Sequence, residues 1–252
     1  MTEKELAFFK NRIAELYDSC YQRNIPTHSH FLNVDEQAVL QTIHLSAGDI
    51  CVRYSGGFDD AERRIVCFLP DYLEEVPEDI FAYLRIVPAA PKFAEPLSHR
   101  DFLGALMNLG VRREMLGDII ISENTAHIVV LSEIAEHICD SLSAVRHSAV
   151  RVEREGREAH TASVHTEQMD VNTASLRVDS LVSAVWHISR TQSKELLKAG
   201  RISVNSALCA DGSQILKAGQ ILSVRGKGRF RLLPGERMTR SGRRYVSIEL
   251  FI

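Results

Sequence analysis

The chain has 252 residues, 45% apolar and 25% charged, which supplies apolar material for two or three small cores and no run near the roughly 18 consecutive apolar residues that a membrane helix needs. Its net charge of −3 averages two opposed parts: residues 1–176 carry 16 Lys+Arg against 28 Asp+Glu, a net of −12, and residues 177–252 carry 14 against 5, a net of +9. A basic terminal segment on an acidic body points to a polyanion partner for the basic part, although charge alone does not separate nucleic acid from anionic lipid.

The first predicted element is an amphipathic helix over Glu3 to Gln22, with Leu6, Phe9, Ile13, Leu16 and Tyr17 on one stripe and Asn24 and Pro26 ending it. Glu3 and Glu5 stand where a signal peptide needs positive charge. The five cysteines are odd in number and far apart, which reads as buried thiols in a reducing compartment. Both features predict a cytoplasmic protein. FLNVDEQAVLQTI is a second short helix capped near Asn33 or Asp35, and strands at Ile50–Tyr54 and Arg64–Leu69 flank the glycine turn SGGFDD. This N-terminal α/β domain is expected to span 1–77.

Residues 78–155 follow the order β-α-β-β-α-β, the ferredoxin-like or RNA-recognition-motif arrangement. Its parts are a strand at Phe81–Val87, a helix at Ser98–Leu109 closed by Gly110, a hairpin of Asp118–Ser122 and Ala126–Leu131 around Glu123-Asn124-Thr125, a helix at Ser132–Val145 and a strand at Ser148–Glu153. Residues 156–175 are polar without a sustained period and read as a linker or a protruding strand pair. The C-terminal domain, 176–252, begins with a helix at Val178–His187. A second helix opens with the capping box Ser189-x-x-Gln192 and stops at Gly200. Strands at Arg201–Asn205, Gln220–Arg225, Arg229–Leu233 and Tyr245–Phe251 then form a small sheet, with turns at Asn205-Ser206, Gly226-Lys227-Gly228 and Pro234-Gly235. The fold class expected is α+β, in three small domains.

The basic segment carries the chemistry. Arg190 and Lys194 lie four apart and share a helix face. Ser189 and the amides opening its helix offer a phosphate pocket. Arg225, Lys227 and Arg229 alternate, so on an extended segment they would point the same way. The pieces Leu176-Arg177-Val178-Asp179, Ser189-Arg190, Lys194, Gly200, Val204-Asn205, Lys217-x-Gly219 and Ile221 to Arg229 occur in the order that resembles the small RNA-binding domain first described in ribosomal protein S-four, the alpha-L motif. That resemblance implies RNA contacts from Arg177, Ser189, Arg190, Ser193, Lys194, Lys198, Arg201, Asn205, Lys217, Arg225, Lys227 and Arg229. For Arg177 a structural ion pair with Asp179 stands beside the RNA role.

LSHRDFLGALMNLGVRREMLGDIII, FLNVDEQ, YSGGFDDAERR and the C-terminal domain together resemble the bacterial YlmH family over nearly the whole chain. The resemblance implies a non-catalytic RNA-binding protein of the large ribosomal subunit, engaged in rescue and quality control of stalled ribosomes and in some members linked to cell division. The implied partners are ribosomal RNA, peptidyl-tRNA and a tail-elongation factor, with no membrane and no cofactor. Arg100, Arg112 and Arg113 are secondary RNA candidates, with pairing to Glu114 or Asp118 as the structural alternative. Phe81 and Tyr83 share a strand face and either stack on RNA or are buried, burial being favoured.

His99-Arg100-Asp101 matches the start of a kinase catalytic loop but lacks its Gly-rich and Asp-Phe-Gly companions. His28, His30 and His44 have no metal-site spacing. No pseudouridine-synthase, methyl-donor or synthetase motif is found in the sequence. Two other readings remain: an RNA-modifying, pseudouridine-synthase-like enzyme that docks through the C-terminal domain, and a membrane-surface or division-site adaptor resting on the basic patch.

Overall fold

A computed structural model describes residues 2–43, 50–91, 94–205, 207–238 and 244–251. Helices and antiparallel sheets give an α+β arrangement. Two compact units emerge, residues 1–163 and 164–252. No helix among the described residues is long and apolar enough to cross a membrane.

Unit 1 opens with α1 (Glu3–Arg23), which starts in a capping box between Thr2 and Glu5 and ends where Asn24 turns left-handed at φ 54°. Strand β1 (Thr27–His28) follows, then α2 (Val34–Leu40), whose capping box joins Asn33 to Glu36. Strand β3 (Ile65–Leu69) is an unbroken apolar run, fully buried, and lies between β1 and β2 (Cys51–Ser55). That burial on both faces is why it lacks polar alternation. Ile13, Tyr17 and Cys20 of α1 close over Val66 and Phe68, with Tyr17 edge-on to Phe68 at 5.6 Å. Burial pushes the Cys67 thiol up to about 12.

The second part of unit 1 consists of β4 (Phe81–Pro88), α3 (His99–Asn108), β5 (Leu116–Ser122), β6 (Thr125–Leu131), α4 (Ala135–Ser141), β7 (Ala144–Val145) and β8 (Ser148–Glu155). The sheet order is β5-β6-β4-β8-β7, all antiparallel. Glu123 and Asn124 both take positive φ, 47° and 66°, the geometry of a two-residue hairpin whose twist suits the strands it joins. The helix expected over Ser132–Val145 is shorter. A 3-10 turn occupies Ser132–Ile134, α4 ends at Ser141, and Ala144–Val145 pair with β8 instead.

One face of this sheet carries Leu84, Ile86, Ile128 and Val130, all solvent-inaccessible; α3 contacts β5 and α4 contacts β8. The opposite face is the one that would stack bases in an RNA-recognition motif. Here the N-terminal elements cover it. Phe31 lies 5.9 Å from Phe81, and the Tyr83 hydroxyl donates to the Gly57 carbonyl at 2.6 Å. Phe81 is buried and Tyr83 half-buried, so the burial alternative holds for this strand. Arg63 ties the two parts further, donating to the carbonyls of Phe31, Arg113 and Leu116, while the Asp118 carboxylate accepts from the amides of Glu62 and Arg63. These bonds span the boundary expected near residue 77.

Residues 156–175, expected as a linker or a protruding strand pair, contain helix α5 (Arg157–Ala162) and strand β9 (Thr166–Thr173). His160 on α5 is solvent-inaccessible, packs against Phe58 and Tyr83, and shares the buried Glu155 carboxylate with His127. Burial alone would raise the Glu155 pKa. The hydrogen bonds and charge of the two imidazoles outweigh it and hold the carboxyl at about 2. A lone His and Glu in a polar stretch leave no periodic trace, which is why this packing escaped the sequence pattern.

Unit 2 is built from β9, α6 (Val178–Val185), α7 (Arg190–Lys198), β10 (Ile202–Val204), β11 (Ala207–Leu208), β12 (Ile221–Val224), β13 (Gly228–Met238) and β14 (Arg244–Phe251). Its six strands run in the order β11-β10-β12-β13-β14-β9. Pro234-Gly235 does not turn the chain. The pair sits inside β13 as a bulge between Leu232 and Glu236, with Gly235 at φ 98°. Proline lacks a ladder donor, and a bulge is one of the few sheet positions that tolerates it. Ser206 of the expected Asn205-Ser206 turn lies outside the described residues.

Two outcomes test unit 1. Gly57 has φ 89°, and an added Cβ would stand 2.9 Å from Val129 and 3.2 Å from the Tyr83 hydroxyl. Gly57→Ala is therefore expected to destabilise the unit by about 1–3 kcal/mol, read by urea unfolding followed with circular dichroism. Glu155 has a folded pKa below its ordinary 4.5, so its contribution is complete above about pH 4.5 and drains as pH falls toward 2. The stability gap between the wild type and Glu155→Gln should accordingly narrow between pH 5 and pH 3.

Candidate RNA interface

The helix pair of unit 2 follows from its sequence. Val178, Leu181, Val182 and Val185 recur at helical spacing, and all are buried in one core with Leu197, Leu222, Val224 and Phe230. Ser189 then caps α7: its Oγ accepts from the Gln192 amide at 3.1 Å, and its own amide donates to Gln192 Oε1 at 3.0 Å. Ser193 and Leu197 turn inward. Arg190, Lys194 and Lys198, at i, i+4 and i+8, drift about 40° per step around the helix and stay on the solvent side; all three are exposed.

The hairpin joining β12 to β13 extends this stripe. Its fixed points are backbone bonds. The Arg225 amide donates to the Arg201 carbonyl at 2.8 Å, and the Arg201 guanidinium returns a bond to the Arg225 carbonyl at 2.6 Å. The Trp186 indole donates to the Lys227 carbonyl at 3.1 Å and packs 5.7 Å from Phe230. Arg201, Arg225 and Lys227 are exposed. The paired Arg201–Arg225 bonds tie the end of α7 to this hairpin. Trp186 carried no sequence signal for this role beyond being the single tryptophan.

The alternation expected of Arg225, Lys227 and Arg229 does not occur. Gly226 and Gly228 take φ 82° and 118°, so residues 225–227 form a tight turn rather than a pleated strand. Arg229 lies beyond it in β13, on the face away from the core, with its guanidinium 4.5 Å over the Phe251 ring. Arg231 and Arg237 on the same strand pair with Glu249 at 2.6 Å and Asp170 at 2.7 Å.

Four other expected contacts stand elsewhere. Ser193 is fully buried, and its hydroxyl donates to the Asp179 carbonyl at 3.1 Å, because it falls on the inward face one turn before Leu197. Arg177 grips Asp179 with two bonds, at 3.0 and 2.8 Å. The pairing lowers the Asp179 pKa against burial, and this fork is the structural alternative weighed for Arg177. Asn205 takes φ 47°, and its Oδ1 accepts from the Ile221 amide at 2.9 Å, a turn-forming role. Lys217 is exposed, but it precedes β12 whereas the hairpin follows it, so strand β12 separates the two.

In unit 1, Arg112 pairs with Glu114 at 2.9 Å. Arg113 donates to the carbonyls of Leu116 and Gly117; burial and the neighbouring Arg63 pull its pKa down to about 10. Arg113 is thus held by the fold, whereas Arg112 stands exposed. Arg100 is exposed on α3. His28 meets the Ser29 carbonyl and His30 faces Glu114; His44 lies outside the described residues. Among the described residues no three His, Cys, Asp or Glu side chains gather as a metal site.

Comparison with known proteins adds three findings. Residues 78–158 match a family model described as "Putative RNA-binding domain in YlmH". The chain is 32% identical over 220 residues to ribosome-associated protein quality control protein P2 of Bacillus subtilis (strain 168), covering 87% of this chain and 85% of that protein. Among solved structures it is similar to cell division protein ylmH from Streptococcus pneumoniae, with a TM-score of 0.50 and 24% identity over 63% of this chain and 96% of that one; at that identity the likeness concerns the fold.

The contrast between neighbouring residues of α7 gives a direct test. Ser193→Ala is expected to destabilise unit 2 by about 1 kcal/mol, the worth of one buried hydrogen bond, and to leave RNA affinity unchanged. Lys194→Ala is expected to do the reverse. Urea unfolding and filter binding to a structured RNA, run side by side on both variants, read the two effects.

Proposed function

Since this chain belongs to the YlmH family, we propose that it is a non-catalytic RNA-binding protein of the large ribosomal subunit that acts on stalled ribosomes. The observation that carries the reading is the set of exposed cations Arg190, Lys194 and Lys198 on α7 with Arg201, Arg225 and Lys227 beyond its end, the last group tied to α7 by the Arg201–Arg225 bonds. Lys and Arg gain affinity for folded RNA by releasing its condensed counterions. A face built on a short helix and a tight hairpin suits a ridged polyanion better than a flat one. The name of the Bacillus subtilis relative, a ribosome-associated quality control protein, supports the same assignment.

In this reading the cationic face contacts ribosomal RNA and peptidyl-tRNA, and a tail-elongation factor works on the same subunit in the cytoplasm. Arg100 is a secondary contact. The segment 78–155 is proposed as an RNA-recognition-like module whose covered sheet face leaves its edges and helices for partners, with 1–77 as the module that covers it. A link to cell division rests on the name of the Streptococcus pneumoniae protein.

The test is co-sedimentation with large subunits across a salt series. Each phosphate contact adds about 0.9 to the slope of log affinity against log salt. The triple variant Arg190→Ala, Lys194→Ala, Arg225→Ala is expected to lose subunit binding near physiological salt and to flatten that slope by roughly 2–3. A triple variant that sediments as the wild type does would remove this face as the contact.

A further inference from the structure

Residues 78–158 match an RNA-binding family model, yet the sheet face that an RNA-recognition motif would use is closed over at Phe81 and Tyr83. Arg113 is spent on backbone carbonyls, and Arg85 and Arg112 are paired with Glu153 and Glu114. The helix side of the same segment is different. A groove of about 440 Å³ lies between α3 and the turn that follows β7, and its lining includes Arg100, Gly104, Asn108, Ser141, Ser143 and Arg146. Two guanidinium groups thus border one recess whose other polar side chains include hydroxyls and an amide.

The fold places both cations and leaves them donors to spare. Arg100, Gly104 and Asn108 recur every four residues and share one face of α3. Arg100 is exposed, and no partner for its side chain stands among the described residues. Arg146 opens the two-residue turn between β7 and β8 at φ 53°, a position that glycine or asparagine usually takes and where a long side chain carries backbone strain. Its guanidinium stands 3.5 Å from Asp101 and 3.8 Å from Glu95. Both distances exceed a normal hydrogen bond, so the two carboxylates aim the group without consuming its donors. Asp101 itself accepts from the amide and the hydroxyl of Ser98, which caps α3. Between the cations the floor is open: a Cβ added at Gly104 would meet nothing within 4 Å.

We propose that this groove binds backbone phosphates of a second stretch of RNA, a reading that rests on the chain being an RNA-binding protein of the ribosome. Guanidinium forks match phosphate oxygens in a bidentate manner, and the Ser143 hydroxyl and the Asn108 amide add neutral donors beside them. Contacts of this kind fix the orientation of an RNA without reading its sequence. The groove therefore supplies affinity and register from unit 1, where the covered sheet supplies neither.

Gly104 gives the test, because it lies inside a helix with free space around it. Gly104→Lys and Gly104→Glu are each expected to keep the thermal unfolding midpoint at or above that of the wild type, since glycine is a poor helix former. The full-length chains are to be sedimented with large ribosomal subunits across a salt series. Gly104→Lys is expected to steepen the slope of log affinity against log salt by about 1, and Gly104→Glu to weaken binding roughly tenfold and flatten the slope by about 1. Arg100→Ala combined with Arg146→Ala should flatten it by about 2. Equal binding by the two Gly104 variants overturns the groove; if the Arg190, Lys194 and Arg225 triple variant still loses binding in that case, the proposed function stands. A wild type that does not sediment with the subunits overturns both. Adenosine monophosphate that shifts the amide resonances of Gly104 and Arg146, while neither Gly104 variant alters subunit binding, assigns the groove to a free phosphate ester and overturns the RNA contact.

Discussion

Holding many like charges on one small surface is the constraint around which unit 2 is organised. Three exposed cations lie on α7, Arg201 follows it, and two more stand at the hairpin, and their mutual repulsion opposes folding. Support comes from beneath. The core of Val178, Leu181, Leu197, Leu222 and Phe230 is neutral and closed, and the hairpin is tied down through main-chain carbonyls, by Trp186 at Lys227 and by Arg201 at Arg225. Backbone anchoring leaves the Lys227 ammonium outside the anchor. Arg177, Arg231 and Arg237 are ion-paired and stabilise the frame.

A related trade shapes unit 1. Its five-stranded sheet presents aromatic residues on the face opposite its helices, yet Phe31, Gly57, Phe58 and His160 close over them. Gly57 makes this closure possible, since a side chain there would collide with Val129 and Tyr83. An open aromatic sheet binds single strands by stacking; a covered one gains a core. This sheet face has been given to the fold.

Features encoded by neighbours in sequence were legible. The capping box at Ser189, a cap near Asn33, the Glu123-Asn124 hairpin and the helical periodicity of α1 and α6 follow from spacing alone. The β-α-β-β-α-β order of the second sheet was read from its elements, whereas its fifth strand, Ala144–Val145, was read as the end of a helix. Features set by distant partners were not legible. Pro234-Gly235 resembles a turn until β14 and β9 extend the sheet past it. Strand β9 is too polar to announce itself, because its pairing comes from β14 and not from an apolar face. In the candidate site, the four-residue spacing of Arg190 and Lys194 agrees with their shared exposure on α7. Ser193, named through the family resemblance, has its hydroxyl turned into the core toward the Asp179 carbonyl, a direction that only the packed helix pair sets.

Exposed charge and directional pairing fall to different residues of unit 2. Lysine and arginine side chains on an exposed surface attract any dense array of phosphates and lose most of that affinity as salt rises; such contacts position an RNA without identifying it. Identification needs directional groups held in place, and the directional pairs that unit 2 fixes, Arg177 with Asp179 and Arg231 with Glu249, hold its frame.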